Sequence, residues 1–186
     1  ITIPAKVTIS ATATPASICN GETAHLSTTV TNVVGAASYV WAPATELSSA
    51  TIANPTVTLT ATGAPETVTY TVQVTDANGC TATDTTFVTV NPEVVINALA
   101  DTVINSGTVV PAKFFTTLLT GGVMTYSWTR TNSDVVTGMD ATGTGNVPGA
   151  TLYNNTNTAK TTTITVTPTF TANGISCVGA TVSYTI

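Results

Sequence analysis

The side chains best suited to nucleophilic or metal chemistry are three cysteines and one histidine: Cys19, Cys80, Cys177 and His25. No two cysteines have the Cys-x-x-Cys spacing typical of zinc sites, and His25 is the only imidazole in the chain. His25 precedes Leu26 in a predicted strand, so it faces solvent if Leu26 faces the core. It has no partner serine or cysteine motif, and we therefore expect no catalytic group and no metal centre here.

The nine acidic residues offer a second route to chemistry, through calcium. Glu93 and Asp101 lie near the middle of the chain, and carboxylate oxygens are the ligands that calcium prefers. No Asp-x-Asp-x-Asp-Gly cluster accompanies them, and isolated acids more often cap turns. The sequence thus predicts no cofactor, with calcium as the lesser alternative.

Composition excludes several classes of protein. Charged residues make up 7% of the 186 residues and the net charge is -5, which argues against nucleic-acid binding because that needs a basic surface. Mean hydropathy is +0.34, yet no apolar run approaches the roughly 18–20 residues of a membrane span. Threonine occurs 46 times, which favours strands over helices because β-branched side chains suit extended backbone.

The chain contains two copies of one pattern. Tyr39-Val40-Trp41 returns as Tyr126-Ser127-Trp128, an offset of 87 (128 minus 41). The prolines that open the copies, Pro4 and Pro92, differ by 88 (92 minus 4). A near-constant offset predicts tandem domains, residues 1–91 and 92–186, with the boundary at a proline that cannot extend a central strand.

Each copy reads as a β-sandwich. Thr67, Thr69 and Thr71 alternate with apolar residues, as do the threonines of 163–167, so each strand has one apolar and one hydroxyl-covered face. Asp76-Ala77-Asn78-Gly79 and Ala172-Asn173-Gly174 are hairpin turns between such strands. About seven short strands per copy, each copy with one tryptophan, predict an all-β fold of two immunoglobulin-like sandwiches, end to end, without helices.

Aromatic residues are assigned to the two cores. The predicted core residues are Trp41, Trp128, Tyr39, Tyr126 and Tyr70. A tryptophan with a same-face tyrosine could instead form a sugar platform, but a sandwich core requires one large ring at this position. The glycine-rich stretch 143–149 is interpreted as a long loop of the second copy, because Pro148 breaks any helix that a phosphate cradle would need.

Three alternatives stay open for the cysteines. The strand order of an immunoglobulin-like sandwich puts Cys19 and Cys80 at opposite ends of the first copy, more than about 20 Å apart. A disulfide allows only about 7 Å between Cα atoms. Head-to-tail stacking would let Cys19 pair with Cys177 across the junction and leave Cys80 to a cysteine of a preceding module. The alternatives are three unbridged thiols, or a Cys19–Cys80 bond under different wiring.

The order of the motifs resembles the PKD-like and Ig-like repeats of Bacteroidota surface proteins. The first copy carries Cys19-Asn20-Gly21-Glu22, Tyr39-Val40-Trp41-Ala42-Pro43, Asn54-Pro55-Thr56 and the segment 70–80, and the second carries Tyr126-Ser127-Trp128, the 143–148 loop and Thr165-Val166-Thr167-Pro168-Thr169 ahead of Cys177-Val178-Gly179. The resemblance covers essentially the whole chain. It implies a stalk segment of a long cell-surface adhesin, of the kind that includes gliding-motility adhesins exported by type IX secretion.

Further expectations follow from that resemblance. Asp84-Thr85-Thr86 and Asp101-Thr102-Val103 are similar to the O-glycosylation signal of Bacteroidota, which makes Thr85 and Thr102 candidate acceptors. The expected partners are neighbouring modules of the same chain and outer-membrane secretion or motility machinery, with no nucleic acid and no membrane insertion. The surface or glycan ligand stays open.

The two ends of the sequence suggest an excerpt from an array. Ile1-Thr2-Ile3-Pro4 resembles the last strand of a preceding module, and residues 181–186 read as a final strand. An enzyme is not expected. The alternatives to a stalk are a subunit of an extracellular filament, in which threonine faces make lateral contacts, and accessory carbohydrate-binding modules of a secreted hydrolase, which require exposed aromatic rings.

Overall fold

The computed structural model describes residues 5–186 and contains fifteen β-strands and no helix in that range. The chain divides into two compact units: residues up to Glu93 with Asn173–Ile175, and Val94–Ala172 with Ser176–Ile186. The first division falls two residues after the predicted boundary at Asn91, and three residues of a late hairpin turn group with the first unit. The expectation placed on Ile1-Thr2-Ile3-Pro4 lies outside the described residues.

The described part of unit 1, from residue 5 onward, contains seven strands in two sheets. They are β1 (Thr8–Thr14), β2 (Ser17–Cys19), β3 (Thr23–Thr31), β4 (Ser38–Ala42), β5 (Thr56–Thr58), β6 (Glu66–Thr75) and β7 (Thr81–Asn91). One sheet has the order β1-β3-β5 and the other β2-β7-β6-β4, with β2 parallel to β7 and the remaining neighbours antiparallel. The chain changes sheet between β1 and β2, at Pro15, which has no N–H to donate to a ladder.

The alternation of β6 determines which of its side chains enter the core. Tyr70, Val72 and Val74 are fully buried, and Thr71 and Gln73 between them face outward. Trp41 on β4 pairs with Val72 in register and is 1% exposed, while Tyr39, two residues earlier, is half-buried. The core of unit 1 is therefore built by period-two alternation on both sheets, as the sequence predicts.

The chain passes through unit 1 from one end to the other. Thr8 at the start of β1 pairs with Thr31 at the end of β3, and the turn after Thr31 contacts the β6–β7 turn through the Ala77 N–H, which donates to Val34 O. At the opposite end Cys19 pairs in register with Asn91, the last residue of β7. A strand as long as β7 spans about 35 Å, so the two ends of unit 1 are well separated.

Unit 2 contains eight strands. They are β8 (Thr108–Val110), β9 (Val123–Arg130), β10 (Val136–Thr137), β11 (Thr142–Thr144), β12 (Ala150–Asn154), β13 (Thr163–Ala172), β14 (Ile175–Val178) and β15 (Val182–Thr185). One sheet has the order β10-β12-β8, and the other has the order β11-β9-β13-β14 with β15 also pairing with β13. Segment 94–107, where a first strand would lie, has no assigned strand.

The core of unit 2 surrounds Trp128. Trp128 packs with Ile164, Val166 and Tyr184, and Phe115 closes the same cluster. Gly143 lies against the indole: a Cβ there would sit 2.2 Å from Trp128 Cζ2, so only glycine fits beneath the ring. A smaller cluster of buried residues lies on the facing sheet and contains Val110, Val136 and Leu152.

The interpretation of 143–149 as a long loop is wrong at its start and incomplete beyond it. Gly143 and Thr144 belong to β11, which pairs with β9. Val147 is buried and forms an isolated bridge with Lys113, and Asn146 Oδ1 accepts the Phe115 N–H at 3.1 Å. The segment adds a strand because its glycine admits the tryptophan ring, a packing relation that local turn residues do not reveal.

The Asn173-Gly174 turn has the backbone that its sequence predicts. Asn173 and Gly174 have φ values of 52° and 78°, which is the two-residue hairpin geometry favoured by Asn-Gly. The fold class is confirmed: the chain is all-β and forms two immunoglobulin-like β-sandwich units that follow one another in sequence.

Candidate functional site

The three cysteines differ in chemical state. Cys19 and Cys177 are both disulfide-bonded, whereas Cys80 is a free and exposed thiol. The alternative of three unbridged thiols and the alternative of a Cys19–Cys80 bond are therefore wrong. The reason for the second is visible within unit 1, since Cys19 ends β2 beside Asn91 and Cys80 precedes β7 at its opposite end. Pairing of Cys80 with a preceding module stays a prediction.

Alkylation provides a direct check on these states. Treating the native chain with iodoacetamide is expected to modify one thiol per molecule, at Cys80, and denaturation without a reductant should expose no further thiol. Intact mass before and after reduction counts the thiols, and proteolysis without reductant identifies the bridged peptides. A Cys80→Ser variant is the matched control and should take up no label.

Asp76 organises the turn between β6 and β7. Its Oδ1 accepts the N–H groups of Asn78 and Cys80, each at 2.9 Å, and its Oδ2 accepts that of Val34 at 3.4 Å. The backbone amide of Cys80 is the largest cause that lowers the pKa of Asp76, and burial opposes it. This carboxylate fixes the loop after β3 and the turn before β7 at one end of unit 1.

The depressed pKa predicts acid sensitivity of unit 1. Because the carboxylate is the bonded form, its contribution is present above the unfolded-state pKa of about 3.9 and is lost as the pH falls through the folded-state pKa. Asp76→Ala is expected to lower stability at neutral pH and to weaken the acid dependence. Urea unfolding across pH measures both, and Asp134→Ala serves as an acidic control for which no such bonds are found. An unchanged acid slope in Asp76→Ala would contradict this assignment.

A second carboxylate, Asp84, ties the two sheets of unit 1 together. It lies on β7, and its Oδ2 accepts the N–H of Ala11 on β1 at 2.7 Å. The backbone amide of Ala11 is also the largest cause that lowers the pKa of Asp84. Asp84 therefore has a structural role, and the adjoining Thr85 is exposed on the outward face of β7.

The second candidate acceptor, Thr102, has different surroundings. It is half-buried, and its N–H donates to Thr185 O while Asp101 Oδ1 accepts the Thr185 N–H at 2.7 Å. In both Asp-Thr signals, the aspartate carboxylate thus accepts a hydrogen bond from a backbone N–H of another strand. Glycosylation at Thr85 and Thr102 stays a prediction.

Within residues 5–186 the tryptophans lie in the cores, as predicted, and form no exposed aromatic platform. Trp41 and Trp128 are 1% and 3% exposed, and Tyr39 and Tyr126 are half-buried beside them. Burial is the main cause that raises the pKa of Tyr70 to about 12, with the Glu46 carboxylate adding to it. The five predicted core aromatics therefore lie inside or at the margin of the two cores.

His25 and the acidic residues do not come together as a metal site in the described part of the chain. His25 is exposed on β3, opposite Thr14. In the described part of the chain, no group of three or more His, Cys, Asp or Glu side chains could hold a metal ion. Over the same residues, no helix has the length and apolar character needed to cross a membrane.

A buried arginine in unit 2 is the residue that sequence reasoning missed. Arg130 is 6% exposed, and its guanidinium donates to three backbone carbonyls: Met139 O at 2.6 Å, Val136 O at 2.7 Å and Asp140 O at 3.3 Å. Burial lowers its pKa, and the Asp140 carboxylate opposes that shift. Strand parity could have found it, because Arg130 shares the inward face of β9 with Tyr126 and Trp128.

Replacing this side chain is expected to destabilise unit 2. Arg130→Ala leaves the carbonyls of residues 136, 139 and 140 without this donor, and orphaned buried acceptors cost about 1–3 kcal/mol each, so we expect a loss of at least about 3 kcal/mol. Arg130→Lys should not rescue it, because one ammonium cannot reach three divergent carbonyls. Chemical denaturation measures the loss, and Thr129→Ala, at the exposed neighbouring position, is the control. Equal stability of the two alanine variants would contradict the assignment.

Unit 2 also contains an open cavity of about 380 Å³. Segment 101–106 and residues 159–161 form its sides, and Val136 and Leu152 contribute apolar floor. Lys160 and Asp101 lie on its margin, with Asp101 already bonded to Thr185. The cavity exists because segment 101–107 passes the sandwich without joining a sheet.

Comparison with known proteins gives matches among solved structures alone. No protein-family model and no curated protein matches the chain. Murine CEACAM1b aligns with 95% of this chain and 98% of its own length, at 10% identity and a TM-score of 0.41. Extracellular cadherin domains 1–4 of protocadherin gamma B7 align with 96% of this chain and 50% of theirs, at 12% identity and a TM-score of 0.32. The fold assignment therefore depends on the strand order and register described above.

Proposed function

We propose that this chain is a stalk segment of a long extracellular surface adhesin, which holds a binding domain at a distance from the cell. The proposal places it at the bacterial cell surface, in the manner of the repeat proteins that its motifs resemble, including gliding-motility adhesins exported by type IX secretion. Its partners would be neighbouring modules of the same chain and the secretion or motility machinery of the outer membrane.

The observation that carries the proposal is the path of the chain through each unit. In unit 1 the chain enters beside Thr31 and leaves at Asn91, at the opposite end. In unit 2 it enters at Val94, whose carbonyl lies against Gly179, and ends beside Thr163, which pairs with Thr185. The Gly179 N–H donates a hydrogen bond to Pro168 O, and Pro168 lies five residues from Thr163 along β13. The entry and exit of the chain are therefore separated along that strand. Units with separated termini can be joined in series, which is what a stalk requires.

Cysteine chemistry supports an extracytoplasmic location. Disulfides persist in oxidising compartments, and Cys19 and Cys177 are both disulfide-bonded. We propose that these two cysteines bond to each other and that Cys80, which follows the equivalent last hairpin of unit 1, bonds a preceding module in the full array. Such a bond would limit bending at each junction and would keep the residues between the two cysteines from extending under load.

A binding experiment separates the stalk from an accessory carbohydrate-binding pair. The purified chain, applied to a glycan array, is expected to give no specific signal, because recognition belongs to a distal domain. Specific binding that is lost in a variant of an exposed aromatic, such as Phe87→Ala or Tyr153→Ala, would overturn the stalk in favour of carbohydrate binding. Both side chains are about half exposed, at 55% and 49%.

A filament subunit is the second candidate. The outward face of the β6–β7 ladder is largely threonine, with Thr71 opposite Thr85 and Thr75 opposite Thr81. Such a face could be covered by another copy without desolvating charge. Light scattering and electron microscopy of the native material distinguish the two, because a stalk stays monomeric over a wide concentration range and a filament subunit assembles.

A further inference from the structure

The cavity of unit 2 is bounded by two segments that belong to no strand. Residues 101–106 form one side and residues 159–161 form the other. Ile104, Val136 and Leu152 supply an apolar lining between them, and Ile104 packs against the small cluster that contains the other two. We call the cavity together with its two sides the slot.

Four backbone groups on the two sides of the slot have no hydrogen-bond partner within residues 5–186. They are the N–H of Ile104, the carbonyl of Thr102, and both the N–H and the carbonyl of Lys160. Unpaired N–H and C=O groups along an extended edge are a template for pairing with another strand. Both sides of the slot therefore have backbone groups that an added peptide can bind.

Unit 1 provides an internal comparison for the slot. Trp41 pairs with Val72 on β6, and Trp128 pairs with Val166 on β13. β6 and β13 are therefore equivalent strands, with an offset of 94 (166 minus 72). The strands that pair with their other edges can be aligned in the same way.

The edge strands β7 and β15 have their own offset. β7 places Asp84 opposite the first of those valines, and β15 places Val182 opposite the second. The offset is 98 (182 minus 84), so Ile186 corresponds to Val88 (186 minus 98). β7 continues beyond Val88 through residues 89–91. The 186-residue sequence contains no counterpart of those three residues in unit 2.

Residues 89–91 are held on both sides in unit 1. On one side they pair in parallel register with Ser17–Cys19 of β2. On the other side Val90 pairs in antiparallel register with Glu66 of β6. Val90 is also 1% exposed and belongs to the core of unit 1. This short strand thus completes a sheet and fills the core beneath it.

The two sides of the slot are the equivalents of those partners. Gly21 and Gly107 donate their N–H groups to equivalent carbonyls, at 2.9 and 2.8 Å, which gives an offset of 86 (107 minus 21) for the first side. Residues 103–105 therefore correspond to β2 (17 plus 86 and 19 plus 86). The offset of 94 makes Lys160 correspond to Glu66 (66 plus 94). The backbone groups left unpaired in unit 2 thus belong to the segments that hold a strand in unit 1.

We propose that the slot binds a three-residue strand from the module that follows in series, with an apolar middle residue and a proline after the strand. The inference deepens the proposed function and rests on it for the presence of a following module. The model for the occupant is Thr89-Val90-Asn91-Pro92 of unit 1. By the equivalent register, its first carbonyl accepts the Ile104 N–H, and its middle residue pairs with Lys160. The middle side chain enters the apolar lining.

A separate second copy of the chain is a poorer source of this strand. Three residues inserted from another molecule bury far less than the roughly 1,200 Å² of a stable interface. A strand that continues β15 in the same chain has already paid the entropy of association, because its effective concentration is set by the covalent link. The slot is therefore suited to a connection within one chain.

The test extends the full chain at its C-terminus with Thr-Val-Asn-Pro-Glu, copied from residues 89–93. Amide hydrogen exchange is expected to slow by about tenfold at Ile104 and Lys160, because each N–H gains a strand hydrogen bond. Thr-Asp-Asn-Pro-Glu is the matched control extension, since it would place a carboxylate against the apolar lining. It should leave both amides at the exchange rate of the native chain.

Amides of β6 in unit 1 report on the rest of the fold and should exchange at the native rate in both extended chains. Equal exchange at Ile104 and Lys160 in the two extended chains would overturn the proposal. Self-association of the unextended chain that the valine-containing extension abolishes would also overturn it, in favour of a strand from a second copy. The stalk is judged separately by particle shape in electron microscopy, so failure of the slot leaves it standing.

Discussion

Reduction of the disulfide is expected to lengthen the chain under tension by about 570 Å. The proposed Cys19–Cys177 bond closes a loop of 158 residue steps (177 minus 19), and each extended residue adds up to about 3.6 Å. Without a reductant, a pull on the two termini can extend only 18 residues before Cys19 and 9 after Cys177 (186 minus 177). The residues between Cys19 and Cys177 would bear no load while the bond is intact.

Single-molecule force spectroscopy with handles on both termini measures this difference. Oxidised chain should show only a short extension, as β1, β2 and β15 are pulled from their sheets, and reduced chain should show the full unfolding of both units. Cys177→Ser should behave as reduced chain even without a reductant. Cys80→Ser, which removes the free thiol, is the matched control and should behave as oxidised native chain.

The outcomes separate the pairing from the stalk function. Full unfolding of both units in oxidised chain would refute the Cys19–Cys177 bond. The stalk would then be tested separately, by the shape of the particles in electron microscopy. Compact globular particles in those images, at native ionic strength, would refute the stalk whatever the disulfide does.

Truncating Trp41 is expected to destabilise unit 1 by about 3–5 kcal/mol. Its ring is 1% exposed, and its Nε1–H donates to Ile52 O at 3.0 Å. Trp41→Ala thus creates a cavity between the sheets and leaves a carbonyl without its donor. Since small domains are stabilised by about 5–15 kcal/mol in total, the loss should bring unit 1 close to unfolding at room temperature.

Urea unfolding followed by far-ultraviolet circular dichroism measures the loss. Val40→Ala is the control, because Val40 precedes Trp41 on the same strand and is 56% exposed. Its effect should stay within about 0.5 kcal/mol. A Trp41→Ala effect as small as that of Val40→Ala would mean that the indole does not support the core.

Local sequence could reveal the class of fold and most of the core. Alternation has a period of two whatever the rest of the chain does, so the inward faces of β6 and β13 were predictable from their own residues. The Asn-Gly turn at 173–174 has the same local cause, since its backbone requires two positive φ values. Trp41 and Trp128 were assigned to the cores because a sandwich encloses one large ring.

The missed features depend on residues that are distant in sequence. Asp84 bonds Ala11 across 73 positions, and Gly143 becomes a strand residue because Trp128 lies over it. Arg130 is a charged residue at an inward position of β9. Such a residue is stable there only because the carbonyls of residues 136, 139 and 140 accept its hydrogen bonds. The first two relations leave no local pattern, whereas strand parity by itself places Arg130 on the inward face of β9.

The composition and spacing of the residues thus established an all-β chain of two related units, because β-branched alternation and hairpin turns act within a few residues. Tertiary structure alone decided which cysteines are bonded, where the buried guanidinium finds its acceptors and which serines and threonines of neighbouring strands stand opposite one another. Those outcomes depend on register between strands, and register is set by the packing of both sheets together.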